Sequence, residues 1–279
     1  MIIMETLLIA TDFSKAANHA ANYAAHLSNQ LEAKHLILYH SYELLPTTAD
    51  IPESIALSDG RLHERSLDLL DELKREFIQI LDPHTKITLV ANSLNMEQGI
   101  NNLAVEHGVN LVVIGLSGKN TWEKLLVGSS TKSLLKNCHL PLLVVPVNAA
   151  FQPIDKIVLG CDLEDVAETM PIEKLKYLIG KLNAQLLVVH VDYKEEEHFD
   201  ADMIREQYDF YDLFEDFNAS IHYIDNRNID KGILSYTENH QAQMIIVIAK
   251  KHSFIERITK ESISKKLAAK TRVPLLIIR

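Results

Sequence analysis

The chain has 279 residues, 47% hydrophobic and 24% charged, with a formal net charge of −10. That length points to about two domains, each large enough to bury a core without covalent staples. The acidic balance argues against a protein built to wrap nucleic acid or coat an anionic membrane.

Chain order then supplies the elements. Thr6 to Ala10 is apolar on both faces, as a buried parallel strand is. Ser14 is placed to cap a helix running to about Gln30, with Ala17, Ala20, Ala21, Ala24 and Leu27 on one face. A strand at Leu36–Tyr39 follows, then a loop with Pro46 and Pro52. A charged amphipathic helix is expected from Asp59 to about Ile80. Strand Lys86–Val90, helix Met96–His107, strand Leu111–Ile114, helix Ser129–Asn137 and strand Leu142–Val145 complete the unit. The second half repeats this order: strand Ile157–Gly160, helix Pro171–Leu182, strand Leu186–His190, helix Ala201–Phe217, strand Ser220–Ile224, helix Ile229–His240, strand Met244–Ala249 and strand Pro274–Ile278. The equivalent prolines Pro141 and Pro274 both enter a last apolar strand. The chain therefore reads as a tandem duplication, 1–148 and 153–279, joined near Asn148 to Pro153. Each half is an α/β doubly wound domain with a five-stranded parallel sheet.

Ligands of such sheets sit beyond the strand C-termini. There the first half places Thr11-Asp12 after its first strand and Gly115-Leu116-Ser117-Gly118 at the end of its fourth. Gly128-Ser129-Ser130-Thr131 then opens a helix. Glycine lets the backbone approach a ligand closely, and free N–H groups at a helix start suit phosphate. A carboxylate at Asp12 can accept hydrogen bonds from ribose or an adenine amino group, or simply cap the helix that follows. No Walker A loop, GxGxxG, nucleophile elbow or HExxH occurs, so no catalytic residue and no metal site is assigned. His40 and His190 end equivalent strands and are read as structural.

The spacing Gly115, Gly118, Gly128 followed by Ser129, together with Asp12 and Pro141, resembles the universal stress protein family. The resemblance covers nearly the whole chain, once per half. It implies the adenine nucleotide alpha hydrolase-like fold with strand order 3-2-1-4-5, and ATP or a related adenine nucleotide, with or without Mg²⁺, between the first and fourth strands. By carry-over, Thr11, Asp12 and Ile114 would lie against base and ribose, and Gly115, Gly118, Gly128, Ser129 and Ser130 around the phosphates. Ser41 and Ser130 depart from the apolar residues the family often has there. In the second half Ala249 is expected in place of the first glycine, His252 near the second and Glu261 in place of the third, with the spacing one residue shorter. Negative charge at Glu261 disfavours phosphate. The reading that follows is a nucleotide-binding stress-response sensor or adaptor with one competent site. Alternatives are a nucleotide-independent scaffold or a slow ATPase or self-phosphorylating protein. The two halves are expected to pair through their last strands as a pseudo-dimer, with a protein partner and a homodimer left open.

The two cysteines, Cys138 and Cys161, lie in different halves and read as reduced thiols. No apolar stretch approaches the ~20 residues of a membrane helix, and no leader pattern opens the chain. The cytoplasm is the expected location, with neither membrane nor nucleic acid as partner. Two charge runs stand out. Asp192 to Asp216 holds eleven acids against two bases, and Lys250 to Arg279 nine bases against two acids.

Overall fold

A computed structural model describes residues 5–44, 59–116, 129–192, 201–217, 219–249 and 263–279. The first half runs β1 (Thr6–Ala10), α1 (Lys15–Gln30), β2 (His35–Ser41), α2 (Asp59–Phe77), β3 (Lys86–Asn92), α3 (Met96–His107), β4 (Leu111–Leu116), α4 (Ser129–Asn137) and β5 (Leu142–Pro146). The second runs β6 (Lys156–Gly160), α5 (Val166–Thr169), α6 (Ile172–Leu182), β7 (Gln185–Asp192), α7 (Ala201–Leu213), β8 (Ser220–Asp225), α8 (Ile229–Asn239), β9 (Met244–Ile248), α9 (Ile263–Lys270) and β10 (Leu275–Ile278).

All ten strands join one sheet in the order β3-β2-β1-β4-β5-β10-β9-β6-β7-β8. Each half contributes the order 3-2-1-4-5. The halves meet where β5 and β10 run antiparallel, with Leu275 opposite Val144 and Ile277 opposite Leu142. Each of these strands would be an open edge in an isolated half, and their pairing covers both edges.

Alternate strand residues feed two cores, one on each face of the sheet. Leu7, Ile9, Val113 and Leu143 face α1 and α2, and this core continues through Leu159 and Ile246 to α6 and α7. Leu8, Val112 and Val144 face α3 and α4, continuing through Val158 and Ile245 to α8 and α9. Burial on both sides explains why the inner strands are apolar runs, while the outer strands β3 and β8, only partly buried, mix polar and apolar residues.

Helix α1 begins as its sequence suggests, with the Ser14 hydroxyl accepting the Ala17 N–H at 3.2 Å. Six of its nine buried residues, beside Tyr23, Leu27 and Ser28, are alanines: Ala16, Ala17, Ala20, Ala21, Ala24 and Ala25. Side chains this small let the helix lie close on the sheet. At Gly115 the approach is so close that a Cβ would fall 2.3 Å from the Ala16 carbonyl oxygen and 2.8 Å from the Ala17 nitrogen. No side chain fits there, so Gly115 and the alanine face are the two sides of one contact.

Three helices differ from expectation, one of them α7, which stops at Leu213 and not at Phe217. The α2 helix stops at Phe77, and a tight turn follows in which the Ile80 N–H donates to the Phe77 carbonyl at 2.9 Å. In the second half a one-turn helix, α5, precedes Pro171. Met170 is extended, with ψ 128°, as a residue before proline prefers, so the helix cannot run on unbroken.

Side chains also tie the halves together. The Gln30 amide donates to the Ile154 carbonyl (2.8 Å) and accepts its N–H (2.9 Å). The Arg279 guanidinium donates to the carbonyls of Cys138 (2.6 Å) and Leu135 (2.7 Å) at the C-terminal end of α4, where a cation complements the helix dipole. Among the described residues no helix is long and apolar enough to cross a membrane.

Candidate functional site

Beyond β1 the chain makes a turn held by consecutive side chains. Thr11 is buried; its N–H donates to the Tyr39 carbonyl (2.9 Å) and its hydroxyl accepts the Phe13 N–H (2.9 Å). The exposed Asp12 carboxylate accepts the Ser14 N–H at 2.9 Å, beside the N-terminus of α1. That bond makes a local turn leading into α1, whose N-cap is Ser14, and it uses one carboxylate oxygen. Phe13 adopts the left-handed region (φ 60°), and its ring lies 4.5 Å from that of His40. His40 Nδ1 bonds the Thr11 carbonyl at 2.7 Å. A carbonyl can only accept, so Nδ1 carries the proton. His40 thus holds the turn, the structural role its position suggests.

Register carries the turn to β4. Ile9 pairs with Val113, so Ala10 and Thr11 come level with Ile114 and Gly115. Thr11, Asp12, Ile114 and Gly115 are thereby gathered at two adjacent strand ends, where the strand order reverses. The Ile114 side chain is buried in the core on the α3–α4 face. Ser129 and Ser130 are the first two residues of α4. Gly118, Trp122 and Gly128 lie outside the described residues, as do Pro46, Pro52, His252 and Glu261.

Next to these strand ends a cleft of 580 Å³ opens at the ends of β2 and β3, between α3 and α4. Its walls include Ser41, Tyr42, Ser93, Asn95, Glu97 and Ser133. Ser41 donates to the Leu94 carbonyl (2.5 Å), which ties β2 to the turn after β3. Asn95 caps α3 by accepting the Gln98 N–H at 2.9 Å. Glu97 accepts from the Ser133 hydroxyl (3.0 Å) and the Asn137 amide (3.3 Å), joining α3 to α4. Tyr42 donates to Asp59 (2.8 Å); burial, reinforced by that carboxylate, pushes its phenol up to about 12, so it stays protonated. Cleft residues of the β3 end were not singled out in the sequence. The signal was there: the strand-end rule applies to β3 as well, and Asn95 with Gln98 has N-cap spacing.

The second half reproduces the turn bond for bond. Cys161 N–H donates to the Val189 carbonyl (3.0 Å), and His190 Nδ1 bonds the Cys161 carbonyl (3.2 Å). Leu163 N–H reaches Cys161 Sγ (3.4 Å), and Glu164 N–H reaches Asp162 Oδ1 (3.4 Å). Leu163 has φ 52°, matching Phe13. Burial lowers the His190 pKa, which favours the neutral ring.

The glycine positions do not correspond as the sequence suggested. Leu7 pairs with Leu111, and its equivalent Ile157 pairs with Met244. Four residues on in each strand stand Gly115 and Ile248, so Ile248, not Ala249, occupies the first glycine's place. Nor is the stretch shorter: Gly115 to Leu142 and Ile248 to Leu275 both span 27 residues. By sequence count alone Lys251 stands level with Gly118 and Glu261 with Gly128. Ile248 packs into the core that holds Val166 and Met170. Those two, with Pro171, stand by count where α1 has Ala16, Ala20 and Ala21. Bulk on both sides of the contact, and a proline within it, replace the close helix approach of the first half.

The comparisons with known proteins agree on one family. The sequence profile of the universal stress protein family matches residues 4–146 and again 153–279. A universal stress protein of Methanocaldococcus jannaschii is 24% identical over 159 residues, covering 52% of this chain and 96% of the relative. One from Bacillus subtilis is 25% identical over 148 residues, covering 50% and 97%. Each relative is therefore about as long as one half. Among solved structures, a universal stress protein from Archaeoglobus fulgidus superimposes with a TM-score of 0.74 at 15% identity, covering 99% of this chain and 98% of that one.

Proposed function

The chain belongs to the universal stress protein family, and from that premise we propose that its first half binds ATP or a related adenine nucleotide while its second half does not. The observation that carries the reading is the contrast at one strand end. Gly115 lies under the first turn of α1, whereas Ile248 faces an interrupted helix. In this reading Thr11, Asp12 and Ile114 hold base and ribose, with the second Asp12 oxygen accepting from a ribose hydroxyl. Gly115, Gly118, Gly128, Ser129 and Ser130 surround the phosphates at the α4 N-terminus. The cleft volume is of the size that takes such a ligand. None of Thr11, Asp12, Ile114 or Gly115 is among its walls, and Glu43 and Glu97 line it, so a base held at Thr11 and Asp12 extends toward the cleft while the phosphates turn toward the glycines. Mg²⁺ would offset phosphate charge.

The protein acts, in this proposal, as a cytoplasmic stress sensor or adaptor whose nucleotide occupancy shifts its choice of protein partner. No residue is assigned as a base for hydrolysis. Calorimetric titration of ATP with Mg²⁺ tests the reading against Gly128→Glu, which copies Glu261. One site per chain, lost in the variant, is expected. No binding at millimolar ATP would overturn the reading and favour a nucleotide-independent scaffold.

A further inference from the structure

We propose that the outer face of α7 is a docking site for a basic amphipathic helix of a partner protein. Ile204, Tyr208 and Tyr211 are 42%, 68% and 38% exposed. Their i, i+4, i+7 spacing lines them along one side of the helix. The opposite side is anchored by Phe210 and Phe214, both buried and stacked at 4.6 Å, so the exposed stripe sits on a fixed support. Asp209 and Asp212 follow one flank of the stripe, and Glu215 and Asp216 stand in the turn that ends the helix. Ala201 to Phe217 carries six acids and one base.

The first half shows that the fold does not require this face. Phe77 and Phe214 are equivalent: both are buried, and each carbonyl accepts the N–H three residues on at 2.9 Å. Counting back from them places Leu67, Asp71 and Lys74 where Ile204, Tyr208 and Tyr211 stand. On α2 the one apolar residue of that face, Leu67, packs against the core instead of standing exposed, and the other two positions are charged, with Asp71 paired to Arg75 at 2.7 Å; the helix carries four Lys or Arg against six acids. The apolar stripe belongs to α7 and not to the duplicated unit.

Tyrosine offers a large contact area for little lost rotamer freedom and is enriched at interfaces. The surrounding acids choose the occupant. They repel nucleic acid, anionic membrane and acidic helices, and they complement a helix whose aliphatic anchors are flanked by Lys or Arg.

The test is fluorescence anisotropy of a labelled Leu–Lys amphipathic helical peptide titrated with the full chain. Saturable binding is expected, weakened at least about tenfold by Tyr208→Ser with Tyr211→Ser. Asp209→Asn with Asp212→Asn should weaken binding and flatten its salt dependence. Tyr208, Tyr211 and Asp212 are exposed and Asp209 is half-buried, and circular dichroism checks that the variants fold. Absence of binding, binding unchanged by the tyrosine variants, or equal binding of a Leu–Glu peptide would overturn the proposal. So would self-association of the chain that the tyrosine variants abolish, since a second copy would then be the occupant.

Discussion

The turns that follow β1 and β6 carry the same set of hydrogen bonds, yet the helices that leave them differ. In the first half, alanines and one glycine bring α1 down onto β4. In the second, Ile248 and its bulky neighbours fill that space, and the helix is split at Pro171. A turn made of short local bonds tolerates Thr11 becoming Cys161 and Phe13 becoming Leu163. A backbone-to-backbone contact tolerates no added atom. Duplication has kept the feature that depends on local bonding and lost the one that depends on close approach.

The sharpest way to break this comparison is Gly115→Ile, which gives the first half the second half's residue. A Cβ would sit 2.3 Å from a backbone oxygen, so α1 must move. We expect a loss of about 3 kcal/mol in chemical denaturation, beyond the usual cost of overpacking, together with loss of ATP binding. An unchanged midpoint would mean that α1 is not held by this contact.

A second contrast lies between α3 and α4. Glu97 bonds neutral partners, whereas its equivalent, the buried Asp230, pairs with Lys270 at 2.6 Å. Lys270→Met leaves that carboxylate without its cation. The cost is expected near 2 kcal/mol, reduced because Lys270 is half-exposed. Asn137→Ala, at the matching place in the first half, should cost about 0.5–1 kcal/mol. Equal effects on thermal unfolding would erase the distinction.

In the site itself, Asp12→Asn keeps an oxygen for the Ser14 N–H while removing the charge. ATP affinity should fall about fivefold, close to 1 kcal/mol, with the fold intact by circular dichroism. Proton linkage gives the smallest expected effect. Burial lowers the pKa of His190 and His222 in the second half and of His35 in the first. The unfolded chain therefore takes up protons near pH 6.5 before the folded one does. Stability from these groups is present above that pH and lost as pH falls below it toward the lowered folded values. Urea midpoints at pH 7.5 and 5.5 should show the drop. His190→Asn with His222→Asn should flatten it more than His35→Asn.

A parallel sheet in each half is legible in short apolar strands alternating with helices. The strand order 3-2-1-4-5 and the pairing of Leu142–Val145 with Leu275–Ile278 are what the resemblance to the universal stress protein family implies, and the pairing also covers two sheet edges. The register of β9 was not legible. Small size made Ala249 look like the match for a glycine, but register is set by hydrogen bonds. The Asn110 side chain accepts the N–H groups of Glu5 and Thr6, and Gln243 accepts those of Asp155 and Lys156. These two amides are equivalent, and they fix Met244 opposite Ile157. The break at Pro171 could have been read from the proline, but α5 before it has too few residues for a periodic signal. The strand-end rule points to the β3 end of the cleft, but its far wall is not legible, because Ser133 joins Ser93 and Glu97 only once α3 and α4 are packed side by side.

Photo-crosslinking with 8-azido-ATP, followed by peptide mapping, tests the asymmetry most directly. Labelled peptides confined to residues before Asn148, and competed away by ATP, are the expected result. Competable label in the second half, near Asp162 or Ile248, would contradict the account.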